Sequence, residues 1–196
     1  MYRNFPFNLV LASASPRRKE LLEQLGFLFN VEVKPVDEIP LPVQAPEEVA
    51  KQIATQKTDA FSINDYPANT IIITADAVVA IDGLILGKPL SHFDATRMLK
   101  SLSGREHEVI TGVCLKSTSK FISFYEVTKV CFSELSDAEI EFYIDEYQPF
   151  DKAGSYGIQE WIGLGFISAI HGSYTNVVGL PTESIRKALL TFVEDF

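Results

Sequence analysis

Apolar residues recur along this chain with two periods, and the places where the period changes mark the elements. "FNLVLAS" (residues 7–13) is a continuous apolar run of strand length. Leu21, Leu22 and Leu25 then follow at helical spacing. Between the two, Ser15 stands as N-cap with Pro16 at the first helical position, and Gly26 closes the segment. "FLFNVEVKPVD" reads as a second strand. Pro46 opens a second helix, in which Val49, Ala50, Ile53, Ala54, Ala60 and Phe61 form the apolar stripe and Lys57 lies off it. "TIIIT" (70–74) is β-branched throughout and reads as a central strand buried on both faces. Asp76 is placed at its C-terminal end.

The second half is paced differently. Asp82-Gly83 between apolar runs predicts a hairpin. A helix is expected from Ser91 to about Leu102, ended by Gly104. "HEVITGVCLK" and "FISFYEVTKVCFSEL" are long strand patterns separated by polar "STSK", which predicts an antiparallel pair. Ser136 and Glu139 form a capping-box signature. A glycine-rich stretch follows, and then a last helix from roughly Thr182 to Val193. Strands alternate with helices first and pair antiparallel afterwards, so the expected class is α/β with a mixed sheet.

Composition narrows this picture. The 196 residues are 46% hydrophobic and 22% charged, enough for one substantial core, and no linker or repeat divides them. A single domain over 1–196 is expected. The formal net charge of −9 would repel a nucleic-acid backbone, so a DNA or RNA partner is disfavoured. The pattern has neither a leader nor a membrane span, and a cytoplasmic protein with no membrane partner is the expectation. Cys114 and Cys131 sit in apolar stretches and read as buried free thiols. His92, His107 and His171 are not at ligand spacing, and no zinc site is expected.

Against this acidic background, "VLASASPRRKELLEQLGF" sets two arginines at a helix start, the end where the macrodipole already places positive charge. A capped helix with a solvated basic turn is one reading. A phosphate cradle is the other: Ser13, Ser15 and the helix N–H groups would donate to an anion. Arg17, Arg18, Lys57, Lys88 and Lys152 could neutralise a polyphosphate. Asp76 and Glu38 could hold Mg²⁺, which prefers one or two carboxylates plus substrate phosphates. Each feature also has a plainer reading: Asp76 as a turn aspartate, Lys88 as a surface lysine, and "DKAGSYGIQ" as a glycine-rich loop. "GLILGKP" has three residues between its glycines and Pro89 after Lys88, so it is not a P-loop. In "DKAGSYGIQ", Gly154 and Gly157 permit close backbone approach, and the neutral amide of Gln159 can match a base edge.

"LASASPRRKELLEQLGF", "VDE", "ITAD", "ILGKP", "LSG", "DKAGSYGIQ" and "GSYTNVVGLP" occur in this order between about Leu9 and Pro181. Together they resemble the Maf family of nucleoside triphosphate pyrophosphatases. The resemblance implies a mixed, elongated sheet with flanking helices, similar to the inosine triphosphate pyrophosphatases, with a substrate cleft between two lobes. It implies cleavage between the α- and β-phosphates of a nucleoside triphosphate, dependent on Mg²⁺ or Mn²⁺, with Asp76 as the proton acceptor. By the same resemblance Arg17, Ala77 and Gln159 stand at specificity positions. Arg17 and Gln159 match the branch that acts on dTTP and UTP, whereas the branch acting on 7-methyl-GTP usually carries Trp and Glu at these positions, and Ala77 departs from the usual Thr of the dTTP/UTP branch. Gln56 stands where the family often has Glu, which leaves Asp76 and Glu38 as the metal ligands. A homodimer is implied too. Two other classes fit parts of the pattern. A nucleotidyltransferase would need Gly-x-Gly where Ser13-Ala14-Ser15 stands, and a regulator of cell division or septum formation has no DNA-binding motif to support it.

Overall fold

A computed structural model describes residues 2–36 and 45–194. Glu38, expected as a metal ligand, lies outside the described residues. The chain divides into two compact units. The first is Met1–Asp76, Thr111–Glu126 and Gly179–Phe196; the second is Ala77–Ile110 and Val127–Val178.

The strands are β1 (Asn8–Leu11), β2 (Phe29–Val31), β3 (Thr70–Ile81), β4 (Leu84–Leu86), β5 (Glu106–Lys116), β6 (Phe121–Phe132) and β7 (Ile167–His171). The helices are α1 (Pro16–Gln24), α2 (Pro46–Asp59), α3 (His92–Leu102), α4 (Asp137–Tyr147), α5 (Trp161–Phe166), α6 (Tyr174–Val178) and α7 (Thr182–Glu194). The sheet runs β2-β1-β3-β5-β6-β7, with β4 paired to β3 alone. β1 lies parallel to both β2 and β3, and β4 returns antiparallel along β3. The expected mixed α/β sheet is present.

In the first unit, β1 and β3 are covered on both faces. Leu9, Leu11, Ile71 and Ile73 pack with Leu22 of α1 and with Ile185, Leu189 and Phe192 of α7, while Val10 and Ile72 face the other way onto Phe61. That is why these strands read as unbroken apolar runs rather than alternating ones. α2 lies on β5 at Gly112, where a Cβ would collide with the backbone of Ala50 and Lys51, so only glycine lets the helix approach this closely.

In the second unit, Val79, Leu99, Val109, Val130, Tyr143, Tyr156 and Ile162 belong to one core. Asp82 and Gly83 both have positive φ (52° and 75°), the geometry of the expected tight hairpin. Both bonds of the expected capping box are made, from Ser136 N–H to Glu139 Oε2 (2.7 Å) and from Glu139 N–H to Ser136 Oγ (3.4 Å). β5 and β6 form a hairpin: Ser117 N–H donates to Lys120 O at the turn, and Phe132 N–H donates to Arg105 O at the open end.

Two expectations need correcting. β3 does not end near Asp76. It continues through "AVVAI" to Ile81, because that run is β-branched and β4 pairs with it from Val79 onward. Cys131 is half-buried rather than buried; only Cys114 is enclosed. The glycine-rich stretch also holds three elements, α5, β7 and α6, that the pattern did not announce.

Candidate active site

Asp76 sits inside β3, and its position follows from strand periodicity. Thr74 and Asp76 are two residues apart and therefore project to the same face. Thr74 Oγ1 donates to Ala54 O of α2 (2.8 Å) and shares a 2.5 Å bond with Thr58 Oγ1. This buried pair docks α2 against β3. Lys57 comes from the same helical turn as Thr58, and its ammonium reaches Asp76 Oδ1 at 2.5 Å. The two side chains are 19% and 14% exposed, so this ion pair is sheltered but not sealed. Lys57 lies off the apolar stripe of α2 because it serves the carboxylate.

The last parallel pairing of β1 with β3 is Leu11↔Ile73, and Ala12 N–H extends it by donating to Ile73 O (2.8 Å). Ser13, Ser15 and Arg18 follow Leu11, and Asp76 follows Ile73, so all four leave the same end of the parallel strands. Ligands of open α/β sheets bind at this end. Ser15 caps α1, accepting from Arg18 N–H (3.4 Å). Ser13 Oγ accepts from Ser15 N–H (3.2 Å) and from the Arg18 guanidinium (3.4 Å). Arg18 Nε donates to Gly179 O (2.8 Å). Both acceptors are neutral, and together they fix the orientation of the guanidinium. Arg17 is half-buried beside it on α1.

The second unit gathers the other expected residues. Gly154 N–H donates to Gly87 O (3.0 Å), which ties the "KAGSYG" segment to the one carrying Lys88. Lys88 is exposed and has no ion-pair partner among the described residues. Lys152 is different. It is buried, with its ammonium 2.7 Å from Asp151 and 3.1 Å from Glu160. Two carboxylates thus offset a lysine expected to neutralise phosphate. Gln159 is half-buried, and its Oε1 is enclosed without a hydrogen-bond partner. Ala77 is half-buried as well.

Four residues here escaped the sequence reading. Glu160 binds Lys152 and accepts a short bond from the Tyr143 hydroxyl, which in turn accepts from Gly157 N–H (3.0 Å). A Cβ on Gly157 would sit 2.8 Å from the Glu160 carboxylate, so this glycine makes room for the network. Burial, reinforced by Glu160, holds the Tyr143 hydroxyl far above the usual phenol range. Asp151 is the third member. Ser155 is the fourth: it has φ 64° without being glycine, and its buried hydroxyl has no partner. Strained backbone and unpaired polar atoms cluster where ligands bind. Nothing in the local sequence of Ser155 signals its left-handed conformation.

Residues 8–192 match the family of Maf-like proteins. The chain belongs to the Maf family. Among curated relatives, the dTTP/UTP pyrophosphatase of Phocaeicola vulgatus is 48% identical over 93% of this chain and 95% of its own. That of Flavobacterium psychrophilum is 47% identical over 93% of both chains. Among solved structures, a HAM1 protein from Coxiella burnetii aligns with a TM-score of 0.43 at 16% identity, covering 66% of this chain and 74% of that one.

Proposed function

We propose that this protein hydrolyses dTTP and UTP to the nucleoside monophosphate and pyrophosphate, with Asp76 accepting a proton from the attacking water. The observation that carries the reading is the Asp76–Lys57 pair at the C-terminal end of β1's pairing with β3. It is supported by relatives that share nearly half of this chain's residues over almost their whole length.

Phosphoryl transfer needs charge neutralisation and a positioned water more than covalent chemistry. Arg18, oriented by Ser13 and Gly179, presents a guanidinium suited to a phosphate. Lys57 occupies Asp76 Oδ1 and holds the carboxylate in place, which leaves Oδ2 to take the proton or to meet a cation. One hard carboxylate fits a divalent cation that arrives with substrate phosphates and waters, the usual donor set for Mg²⁺. Bound at Asp76, Mg²⁺ or Mn²⁺ would polarise a phosphoryl oxygen and lower the pKa of a bound water. The neutral amide of the half-buried Gln159 is of the kind that can match the N3–H and carbonyls of uracil or thymine.

The test is a product assay. The purified protein is incubated with dTTP, UTP, CTP or 7-methyl-GTP and Mg²⁺ or Mn²⁺, and pyrophosphate and orthophosphate are measured separately. Pyrophosphate release, fastest from dTTP and UTP, is expected. Orthophosphate release, or turnover of none of them, would reject the reading.

A further inference from the structure

The second unit carries a group of side chains that the nucleotide chemistry does not use. Glu106 begins β5, Cys131 lies near the end of β6, and His171 ends β7. β6 is the middle strand of the three. The bond from Phe132 N–H to Arg105 O sets Glu106 across from Cys131 on one side. On the other side, Cys131 pairs with Ala169 and Lys129 with His171, so His171 stands one diagonal step from Cys131 on the same face. A bulge falls between Cys131 and Phe132 and bends the strand at this point.

The donor atoms converge. Cys131 Sγ is 3.7 Å from Glu106 Oε2, and one donor atom from each of the three side chains lies within 4.8 Å of the other two. Zinc bonds of about 2.0–2.3 Å in a tetrahedron place donors roughly 3.3–3.5 Å apart. The sulfur and the carboxylate oxygen are almost at that spacing, and the exposed His171 side chain can close the remainder of about 1 Å. Glu106 divides its oxygens: Oε1 takes the Lys129 ammonium at 3.0 Å, and Oε2 faces the thiol. Lys129 thereby holds the carboxylate as a fixed wall of the group. No residue of this group belongs to the Asp76 site.

We propose that Glu106, Cys131 and His171 form a three-ligand site for a thiophilic divalent cation of the zinc class. Thiolate and imidazole donors select such ions over Mg²⁺ and Mn²⁺. The fourth position is left to water, as in open three-ligand zinc sites. Binding replaces the Cys131 S–H bond with a sulfur–metal bond and releases the thiol proton to solvent. The ligands come from three strands, so no linear spacing in the sequence marks them.

Co²⁺ alone is the probe, titrated into the full-length protein in excess Mg²⁺. One equivalent is expected to give a thiolate-to-cobalt charge-transfer band. Cys131→Ser should abolish that band. His171→Ala, at an exposed position that leaves the core untouched, should weaken Co²⁺ binding on the order of tenfold or more. Cys114→Ser and Asp76→Asn should keep the band. Absence of the band in the wild type, its survival in Cys131→Ser, or its loss in Asp76→Asn would overturn the proposal. Displacement of Co²⁺ by Mg²⁺ would overturn it as well, since a carboxylate site would then account for the binding.

Discussion

Lys57 and Lys152 are both sheltered lysines paired with carboxylates, and their neighbours differ. In the first unit the Lys57 ammonium meets the Asp76 carboxylate, and the Ser13 hydroxyl and the Gly179 carbonyl orient Arg18. In the second unit Lys152 faces the Asp151 and Glu160 carboxylates, and the enclosed Ser155 hydroxyl and Gln159 Oε1 nearby in the chain have no hydrogen-bond partner among the described residues. A phosphate needs surplus positive charge, whereas a pyrimidine needs neutral donors and acceptors in fixed positions. On the proposed reading, Arg18 and Lys57 handle phosphate charge and Gln159 reads the base. Lys152, expected to neutralise phosphate, is paired here with Asp151 and Glu160.

The largest effect should come from removing the base. Asp76→Asn keeps the shape of the side chain and is expected to lower kcat by about 10²- to 10⁴-fold, measured as pyrophosphate release. Arg18→Ala would remove the proposed charge-assisted phosphate contact and should lower kcat/KM by roughly tenfold to a hundredfold for every substrate. Arg17→Trp, by contrast, should mainly shift preference among substrates.

The next effects are on stability. Glu160→Gln leaves Lys152 with only the more exposed Asp151 and weakens the bond to Tyr143. A loss of about 1–3 kcal/mol is expected, read from the urea midpoint. Gly112→Ala forces α2 away from β5 and should cost a similar ~1–3 kcal/mol. Because α2 carries Lys57, this variant should also slow turnover.

The smallest effect is a pH slope. His107 is enclosed, and burial lowers its pKa from 6.5 to about 4. A depressed histidine pKa means that the unfolded chain takes up a proton before the folded one does. Stability from this residue is therefore full above pH 6.5 and is lost as the pH falls toward 4, by up to about 1.4 kcal/mol per pH unit. His107→Phe should flatten the denaturation midpoint over this window. A slope that persists unchanged in the variant would move its origin elsewhere.

Much of this was legible in the chain because it is local. Ser15-Pro16, Asp82-Gly83 and Ser136–Glu139 each state their own hydrogen bonds, and the structure makes them. Asp76 after an apolar strand, and Arg17 and Arg18 at a helix start, stood out as charges where an apolar run and the helix dipole give them no local reason to be. What the sequence hid is what depends on distant partners. β3 continues through a charged residue because β4 returns along it, and a lone Asp reads as an end until that pairing is known. Glu160 looks like any surface glutamate until Tyr143, Gly157 and Lys152 close around it. Cys131 and His171 are forty residues apart in sequence, and strand pairing brings them together.

The proposed separation of charge handling by Arg18 from base reading by Gln159 is tested most directly by the ratio of kcat/KM for dTTP to that for 7-methyl-GTP, measured in the wild type, Arg18→Ala and Gln159→Glu. Arg18→Ala is expected to lower both values together and leave the ratio unchanged, whereas Gln159→Glu should reduce the ratio by about tenfold or more. A ratio that moves with Arg18→Ala and stays constant in Gln159→Glu would contradict the account.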